Sequence, residues 1–587
     1  EAVVVPEKAF AACQTPSVPG WDLDENISYQ WRQEVIDHGN WQPADKIETV
    51  RSDNGLRITI PASGDDQTYA VSIDLGQYLV GVPLLDIENG EAGAVLDLHI
   101  HERCLGDHPS IRPVGTACRI ALANRLRLTD GPNRHGFFGT LAGQCVTLVM
   151  RRSTRPITVK LAWRTCGYPF SMRGSWCSND DTLNAIHNIC RHTQQICALD
   201  AYVDTPWREQ AQWWGDARVQ ARNTFYLDGD ARLLKRGIIS IAGQATTQGL
   251  TYGHAPTIAY NCILPDFALT WILTIWDYYW QTGETDLAVD MIPRIQSVLS
   301  YFEQPQAQDQ SGLLRYDRRF WYFGDWSTLF KGEIPTFLNL WYLLTLRKLS
   351  SLMEVCGQTE LAANWAQKAD VHQALVIKHL YDEKNQLFYD GRDEEGNPKT
   401  DYSVHDQVIA VLLDLVPDAH QTMLEKRILP YLQSKELSCA VPSAFWSTYA
   451  IEVAIDAGYR ELARDFIAQN WTQMLDSGTT WEGFDWSEND GGTASHAWTS
   501  HPSYHLVNLT FGLEQTAPAW QKIRLRLQPV AGLTQSEALI PTPSGDICLR
   551  LEHDAVSLDL PDQVAAEVIL GDGSTQTVTG GSHTFHL

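Results

Sequence analysis

The alternation of apolar and polar residues is strand-like over the first part of the chain. From about residue 20 to 175 the apolar positions recur at every second residue over short runs, separated by Gly, Pro, Asn-Gly or Asp-Gly turns. The clearest runs lie at 56–60, 69–75, 94–100, 125–128, 146–150 and 157–162. Many short strands at this spacing predict a β-sandwich or jelly roll. Nothing in this part of the chain indicates a reaction centre.

Helical periodicity begins at the capping-type cluster 178–181 and continues to about residue 513. About twelve helical segments are predicted, near 181–198, 216–227, 230–245, 263–282, 285–303, 335–356, 359–380, 402–415, 420–434, 443–457, 460–475 and 500–513. The strand pattern returns after about 518, at 523–527, 547–551, 556–560 and 568–570. The expected domains are an N-terminal β-sandwich (1–176), a helical domain (177–516) and a C-terminal β-sandwich (517–587).

A weak repeat predicts that the helices pair as hairpins. Gly283, Gly357 and Gly458 each begin a Gly-x-x-x-Leu-Ala sequence, and a looser copy surrounds Gly229. Glycine ends one helix in a left-handed conformation, a polar residue starts the next helix, and the Leu-Ala pair packs inward. Twelve helices joined in this way predict six hairpins in a closed (α/α)6 barrel. The alternative, an open α-solenoid, fits less well because the copies are irregularly spaced and the loops are long.

The composition excludes several classes of partner. The sequence has 45 Lys and Arg against 71 Asp and Glu, a net charge of −26. Such a surface repels phosphate backbones and anionic lipid, so we expect neither a nucleic acid nor a membrane partner. The 12 cysteines are scattered, without C-x-x-C or metal-ligand spacing. We therefore expect no metal and no cofactor, and free buried thiols in a reducing compartment, with the bacterial cytoplasm favoured over secretion.

The chemistry concentrates in residues 204–216. This stretch holds three carboxylates, an arginine and three tryptophans, and it begins with a helix-start signal in which Thr205 caps and Pro206 takes the first helical position. Aromatic rings beside carboxylates suit a pyranose, because a sugar has apolar C–H faces to stack and hydroxyls to bind. Taken singly, Asp204 and Asp216 also fit helix caps, and Glu209 fits a residue that complements a helix dipole.

Two further acidic and aromatic clusters lie in long loops, at 323–328 and at 479–486 with 495–498 and 501–504. Glycoside hydrolysis requires two carboxyl groups, one as a proton donor and one as a base or nucleophile. Loops on a helical scaffold bring such groups together at one end. The coincidence of three clusters in a chain with 21 tryptophans predicts a carbohydrate enzyme.

The motifs resemble those of the bacterial α-L-rhamnosidases of glycoside hydrolase family 78. The residues that carry the resemblance are Asp204-x-Pro-x-x-Glu209-Gln, Trp213-Trp214-Gly215-Asp216, Asp325-Trp326, Thr480-Trp481-Glu482 and Ser495-His496-Ala-Trp498. Similar segments outside the site extend the resemblance over nearly the full chain. It implies the (α/α)6 barrel flanked by two β-sandwiches.

The resemblance also implies roles. Glu209 would be the general acid and Glu482 the general base of an inverting hydrolysis of terminal α-L-rhamnosides. The substrate-binding residues implied are Asp204, Arg208, Trp213, Trp214, Asp216, Asp325, Trp326, Trp481 and His496. A large branch of the family carries its acid in Arg-Asp-Glu, whereas this chain reads Arg208-Glu209-Gln210 and matches another branch. Asp485, Glu488 and Asp490 remain rivals of Glu482.

The two carboxyls need different protonation states. Glu209 must be protonated near neutrality, so we expect its pKa to be raised by an apolar tryptophan wall and by Asp204 and Asp216. Two alternatives stay open: a polysaccharide lyase on the same barrel, and a glycan-binding protein with a degenerate site. The carboxylate-centred motifs argue against the first, and the second acid, Glu482, argues against the other.

Overall fold

A computed structural model describes residues 2–6, 42–43, 47–52, 55–64, 67–104, 123–244, 246–259, 261–485 and 492–587. An N-terminal sheet, a helical region and a C-terminal sheet follow one another along the chain. Among the described residues, no helix is both long and apolar enough to cross a membrane.

Among the residues that the structure describes, the N-terminal sheet contains ten strands. They are β1 (Ala2–Pro6), β2 (Gln42–Pro43), β3 (Glu48–Ser52), β4 (Gly55–Ile60), β5 (Gln67–Gly90), β6 (Val95–His101), β7 (Ala123–Arg127), β8 (Gly131–Gly136), β9 (Leu141–Arg151) and β10 (Ile157–Thr165). The main path runs β3-β4-β10-β5-β9-β6-β7. The long β5 holds the sheet together, because its first part pairs with β1 and its second part with β8 and β10, while β9 pairs along both parts. All six predicted runs fall in these strands.

Strand β6 is unusual in having all seven of its residues buried. Apolar residues such as Leu96 and Leu98 alternate with the polar Asp97 and His99. The Asp97 carboxylate accepts from Arg125 at 2.7 Å and from Arg151 at 2.8 Å, so its charge is fully paired. Paired charges of this kind are what make a polar strand face tolerable in the interior.

The described part of the helical region, 181–513 without 245, 260 and 486–491, contains the twelve expected helices. They are α1 (Asp181–Ile196), α2 (Trp214–Leu227), α3 (Arg232–Gly243), α4 (Pro265–Thr282), α5 (Asp286–Phe302), α6 (Thr336–Val355), α7 (Thr359–Leu380), α8 (Val404–Leu412), α9 (in three consecutive pieces, His420–Met423, Leu424–Ile428 and Leu429–Leu432), α10 (Ser447–Asp456), α11 (Arg460–Trp471) and α12 (Pro502–Phe511). Gly229, Gly283, Gly357 and Gly458 all have positive φ, at 81°, 77°, 71° and 90°. The predicted glycine turns between paired helices are thereby confirmed.

The even-numbered helices form a closed ring. Each contacts the next in the series α2, α4, α6, α8, α10 and α12, and α12 contacts α2 again. These helices are buried on most sides, as in α2, where Trp214, Ala217 and Ala221 are all fully enclosed. Helices that are apolar or enclosed all round belong in an interior. The loops that lead into their N-termini therefore meet at one end of the ring.

The C-terminal sheet contains seven strands. They are β11 (Ser175–Ser178), β12 (Leu513–Gln515), β13 (Lys522–Arg526), β14 (Gln535–Thr542), β15 (Gly545–Glu552), β16 (Ala555–Ile569) and β17 (Thr575–His586), in the order β11-β14-β15-β16-β13-β12 with β17 paired to β16. The four strands predicted after residue 518 correspond to three, β13, β15 and β16, because β16 runs unbroken through the predicted strands at 556–560 and 568–570. Strand β11 lies at the expected boundary near 176 but pairs with β14, so the chain enters the C-terminal sheet before it enters the helices.

Two cysteines differ from the expectation of free thiols. Cys104 and Cys145 form a disulfide with their Cα atoms 5.1 Å apart. Register explains the pairing, because Cys145 on β9 lies opposite His101, near the end of β6 that leads into Cys104. This corrects the prediction for these two residues and removes them from the argument for a reducing compartment.

The contact between α3 and Trp214 offers a test of the packing. A Cβ added at Gly237 would lie 2.7 Å from the Trp214 ring and 2.9 Å from the Gln212 amide oxygen, whereas a Cβ at Gly243 in the same helix meets nothing within 4 Å. We expect Gly237→Ala to destabilise the protein by about 1–3 kcal/mol through overpacking. Gly243→Ala is the matched control and should be neutral or stabilising, because alanine favours a helix. Thermal unfolding measures both, and equal midpoints for the two variants would contradict the packing.

Candidate active site

The predicted site residues gather at the N-terminal end of the helix ring. Residues 204–213 precede α2, His254 precedes α4, residues 321–331 precede α6, and residues 482–498 precede α12. Hydrogen bonds and ring contacts join these loops to one another. The sequence clusters predicted to converge therefore do so.

Residues 204–210 form a tight turn and not the predicted start of a helix. The Asp204 carboxylate accepts from the Ala211 N–H at 3.0 Å, and the Gln210 N–H donates to the Thr205 carbonyl at 3.2 Å. Gln210 takes a left-handed φ of 50°, and its side-chain amide donates to the Pro206 carbonyl at 2.8 Å. Helix α2 begins at Trp214. The Asp-Thr-Pro sequence therefore closes a turn, because the Asp204 carboxylate accepts from Ala211 across the loop and does not cap a helix.

One guanidinium connects the two candidate catalytic carboxylates. Arg208 Nη1 lies 3.1 Å from Glu209 Oε1, and Arg208 Nη2 lies 3.0 Å from Glu482 Oε2. Glu209 Oε2 also accepts from the Trp213 indole N–H at 2.8 Å. All three charged side chains are partly exposed. The pair is therefore reachable from solvent and is fixed in orientation.

Glu482 is held by its own loop as well. Its Oε2 accepts from the Thr493 N–H at 2.9 Å and from the Thr493 hydroxyl at 3.2 Å, and its N–H donates to the Thr493 carbonyl at 3.0 Å. The Trp498 indole donates to the Glu482 carbonyl at 2.8 Å. Among the rivals, Asp485 is exposed, and Glu488 and Asp490 lie outside the described residues.

Asp216 and His496 form a buried pair beside these carboxylates. His496 Nε2 lies 2.9 Å from Asp216 Oδ1, and His496 Nδ1 lies 2.9 Å from the Thr493 hydroxyl and 3.9 Å from Glu482 Oε2. Burial raises the pKa of Asp216, and the hydrogen bond and charge of His496 partly offset that rise. The pair links the first turn of α2 to the loop that carries Glu482.

The expected pKa of Glu209 is wrong in direction. Burial raises it, but the Arg208 charge, the Trp213 N–H and a hydrogen bond from Asp204 outweigh burial, so the pKa of Glu209 is lowered. The pKa of Asp204 is raised well above its usual value by burial and by the charges of Glu209 and Asp216. Two carboxyls within hydrogen-bonding reach compete for a proton, and these opposite shifts favour protonation of Asp204 over Glu209.

Aromatic rings form a wall that continues from Glu209. The centroid of the Trp213 ring lies 4.2 Å from that of His254 and 5.9 Å from that of Trp321. The ring centroids of Trp321 and Trp326 are 6.2 Å apart. Trp321 and Trp326 are 38% and 57% exposed, far above the usual exposure of tryptophan. Exposed rings next to carboxylates provide a stacking surface. Neither His254 nor Trp321 is among the site residues predicted from the sequence.

Three of the predicted substrate-binding residues have buried side chains that hydrogen-bond to other protein groups. Trp214 is fully buried and its indole donates to Thr274 at 3.1 Å, so the ring belongs to the core and the prediction for Trp214 is corrected. Trp481 is also enclosed, with its indole bonded to Ser477 at 2.8 Å. The Asp325 carboxylate exposes no surface and bonds to His405 and the Ser443 N–H, each at 2.8 Å. Direct sugar contacts of Trp481 and Asp325 stay predictions.

Two contributors were not found from the sequence. Thr493 supplies two hydrogen bonds to Glu482, although nothing in its sequence context distinguishes it from other loop threonines. Glu102 lies at the end of β6, in the part of the chain with no predicted reaction centre, yet it accepts from the Ala494 N–H at 2.9 Å. The sequence shows that Glu102 follows the strand-like run at 94–100, but it does not show that Glu102 contacts the loop with Ala494.

A closed ring of paired helices with acidic and aromatic loops at one end defines the class of six-hairpin proteins. The sequence model described as the bacterial alpha-L-rhamnosidase 6 hairpin glycosidase domain matches residues 171–509, more than half of the chain, and the bacterial alpha-L-rhamnosidase C-terminal domain matches residues 512–585. The chain belongs to this bacterial alpha-L-rhamnosidase family.

Individual relatives agree with the family. An alpha-L-rhamnosidase of Alteromonas sp. (strain LOR) is 21% identical over 398 residues, 63% of this chain and 42% of that protein. A GH78 family rhamnosidase of Bacillus sp. GL1 superposes with a TM-score of 0.78 at 24% identity, over 91% of this chain and 55% of that one. A rhamnosidase from Klebsiella oxytoca, solved with rhamnose bound, gives a TM-score of 0.62 at 19% identity, over 78% of this chain and 93% of that one. This chain spans about half the length of the Alteromonas and Bacillus proteins.

The raised pKa of Asp204 predicts a pH-dependent stability. An aspartate titrates near 3.8 when unfolded, and its raised pKa in the fold means that folding free energy is lost as pH rises from that value through the folded pKa. Asp204→Asn keeps the acceptor for Ala211 and imitates the protonated acid. We expect its unfolding midpoint to exceed the parent's by about 2 °C at pH 7, the effect of ~1 kcal/mol. The gain should vanish below pH 4, and a loss of stability at pH 7 would show that the carboxylate is ionised.

Proposed function

We propose that this chain is a glycoside hydrolase that removes terminal α-L-rhamnose from glycosides or oligosaccharides by an inverting mechanism. The observation that carries the proposal is the pairing of Glu209 and Glu482 across Arg208 at the open end of the ring. Family membership and the rhamnosidase names of the relatives support the choice of sugar. The hydrolysis as proposed needs no cofactor.

The fold in this proposal is an (α/α)6 barrel flanked by two β-sandwiches, with domains at 1–176, 177–516 and 517–587. The closed contact ring of α2, α4, α6, α8, α10 and α12 supports the barrel, and the two separate sheets support the flanking domains. A closed ring matters chemically, because only then do the loops before α2 and α12 stand next to each other.

In the proposed reaction Glu209 protonates the leaving oxygen, and Glu482 takes a proton from the water that attacks the anomeric carbon from the opposite face. Inverting pairs stand about 6.5–9.5 Å apart, to leave room for that water. The Arg208 guanidinium contacts one oxygen of each carboxylate and so stands between the two groups. Thr493 holds Glu482 Oε2 in place, as a base aimed at one water requires.

Glu209 receives its proton, in this proposal, from Asp204. The pair carries one proton, which rests on Asp204 while Arg208 lies against Glu209. When sugar hydroxyls attract Arg208, the charge that lowers the Glu209 pKa moves away, and the proton passes to Glu209. Asp204, Arg208, Asp216 and His496 then bind hydroxyls, and Trp213 and Trp326 form walls of the sugar site.

The activity and its stereochemistry are tested together. The protein should hydrolyse nitrophenyl α-L-rhamnoside in preference to a panel of other nitrophenyl glycosides, because the binding groups are arranged for one sugar. Proton NMR should show β-L-rhamnose as the first-formed product. First-formed α-L-rhamnose would indicate a retaining nucleophile and a shorter carboxyl spacing. Hydrolysis of another glycoside alone would contradict the proposed substrate.

The two carboxyls should respond differently to the leaving group. Glu482→Ala removes the base and should lower kcat by about 10²-fold or more on any rhamnoside. Glu209→Gln should cost as much on alkyl rhamnosides but much less on nitrophenyl rhamnoside, whose leaving group departs without a proton. Asp485→Asn, at an exposed acid in the same loop, is the control and should keep parental rates. Equal losses on both substrates would argue against Glu209 as the acid.

A further inference from the structure

Glu102 is a buried acid of the N-terminal sheet that reaches the helical region. It follows β6 directly, and its side chain is fully enclosed. Its Oε1 accepts from the Tyr78 hydroxyl at 3.2 Å, and its Oε2 accepts from the Ala494 N–H at 2.9 Å. A buried carboxylate is costly unless donors compensate it. One of these donors belongs to the loop that carries Glu482.

The peptide Thr493-Ala494 stands between two carboxylates. The Thr493 N–H donates to Glu482 Oε2, and the next N–H along the chain, that of Ala494, donates to Glu102 Oε2. The Thr493 carbonyl accepts from the Glu482 N–H, and the Ala494 carbonyl accepts from the Thr479 hydroxyl. Movement of this peptide therefore moves the donors on Glu482.

The N-terminal side of the contact is rigid. The Gln144 N–H donates to the Glu102 carbonyl at 3.3 Å, and the disulfide between Cys104 and Cys145 ties the chain to β9 two residues later. Tyr78 lies in β5, and burial raises its pKa well above the usual value, so the phenol stays a donor to Glu102. The N-terminal sheet therefore holds the Glu102 carboxylate in place, and this carboxylate is a fixed acceptor for the Ala494 N–H.

We propose that Glu102 is a positioning residue for the general base: it holds the Thr493-Ala494 peptide so that Thr493 orients Glu482 toward the attacking water. This inference rests on the proposed function, since it needs Glu482 to be the base. It also assigns the N-terminal sheet a part in the reaction, because Tyr78 belongs to that sheet and Glu102 directly follows its strand β6.

Positional accuracy is the reason such a contact affects rate. A base must lie within hydrogen-bonding reach of one water, and a displacement of about 1 Å costs on the order of 10²-fold. Glu482 lies at the start of a long loop, and the described residues of that loop bond to Glu482 chiefly through Thr493 and Trp498. A loop held at one more point moves less.

The test uses two variants of Glu102 in the full chain. Glu102→Ala should lower kcat on nitrophenyl rhamnoside by about 10- to 100-fold while KM changes by less than about threefold, because the base is displaced and the sugar contacts remain. Glu102→Gln keeps an acceptor for Ala494, and its NH2 can donate to the Tyr78 oxygen. It should restore kcat to within about fivefold of the parent.

Asp97→Asn is the matched control. Asp97 is equally buried in β6, but its partners are Arg125 and Arg151, so the change weakens the sheet without touching the loop of Glu482. It should lower the unfolding midpoint and leave kcat within about twofold of the parent at a temperature where both variants are folded. An equal kcat loss in Asp97→Asn, or no loss in Glu102→Ala, would overturn the role of Glu102.

The outcomes separate this inference from the proposed function. If the parent hydrolyses rhamnosides and Glu482→Ala does not, while Glu102→Ala keeps the parental kcat, only the positioning role is lost. If the parent is inactive on all rhamnosides, the proposed function fails and the role of Glu102 falls with it. A selective kcat loss in Glu102→Ala, with recovery in Glu102→Gln, supports both.

Discussion

The guanidinium of Arg208 is the contact on which the site depends, because it must satisfy two carboxylates that come from distant parts of the chain. Glu209 sits in the loop before α2 and Glu482 in the loop before α12, and one planar cation contacts both. A guanidinium presents its N–H donors in a fixed fork, so it fixes direction as well as distance. That contact forms only when the helix ring closes, since closure is what brings α12 next to α2.

The Arg208 cation also influences the protonation of the acids around it. Asp204, Glu209, Asp216 and Glu482 are all joined to the same network, and Arg208 directly contacts two of them. The Arg208 charge helps to lower the pKa of Glu209, whereas burial and the charges of Glu209 and Asp216 raise the pKa of Asp204. An apolar tryptophan wall alone would raise the pKa of Glu209. For this reason the sequence predicted a raised pKa, whereas the structure gives a lowered one. The pKa of Glu209 depends on where the Arg208 side chain lies, and no sequence pattern gives that position.

Sequence patterns predicted the elements well and the side-chain directions poorly. The twelve helices and the strands β4–β7, β9, β10, β13, β15 and β16 followed from local periodicity, and the glycine turns from a left-handed requirement at Gly283, Gly357 and Gly458. The adjacent Trp213 and Trp214 show the limit: one bonds to Glu209 and the other to Thr274 in the core, because α2 begins between them. The Asp204-Thr205-Pro206 signal was read as a helix start, although its carboxylate closes a turn. Convergence of loops was predictable, whereas the contact of Glu102 with Ala494 depends on how a sheet docks against helices.

That docking has a physical consequence for both halves of the site. A small apolar cluster, in which Tyr78 and Val80 of the sheet pack with Val203, Trp207 and Ala497, joins the N-terminal sheet to the helices. Next to this cluster, the Trp207 indole donates to the Ile100 carbonyl and the Gln210 amide donates to the Thr140 carbonyl. The turn that carries Glu209 is therefore hydrogen-bonded to the N-terminal β region. The loop with Glu482 rests on the same sheet through Glu102. Because the described parts of both loops contact the same β-sheet, that sheet helps to hold their mutual spacing. The spacing of the two carboxyls, on which an inverting reaction depends, is therefore a property of the sheet and the ring together.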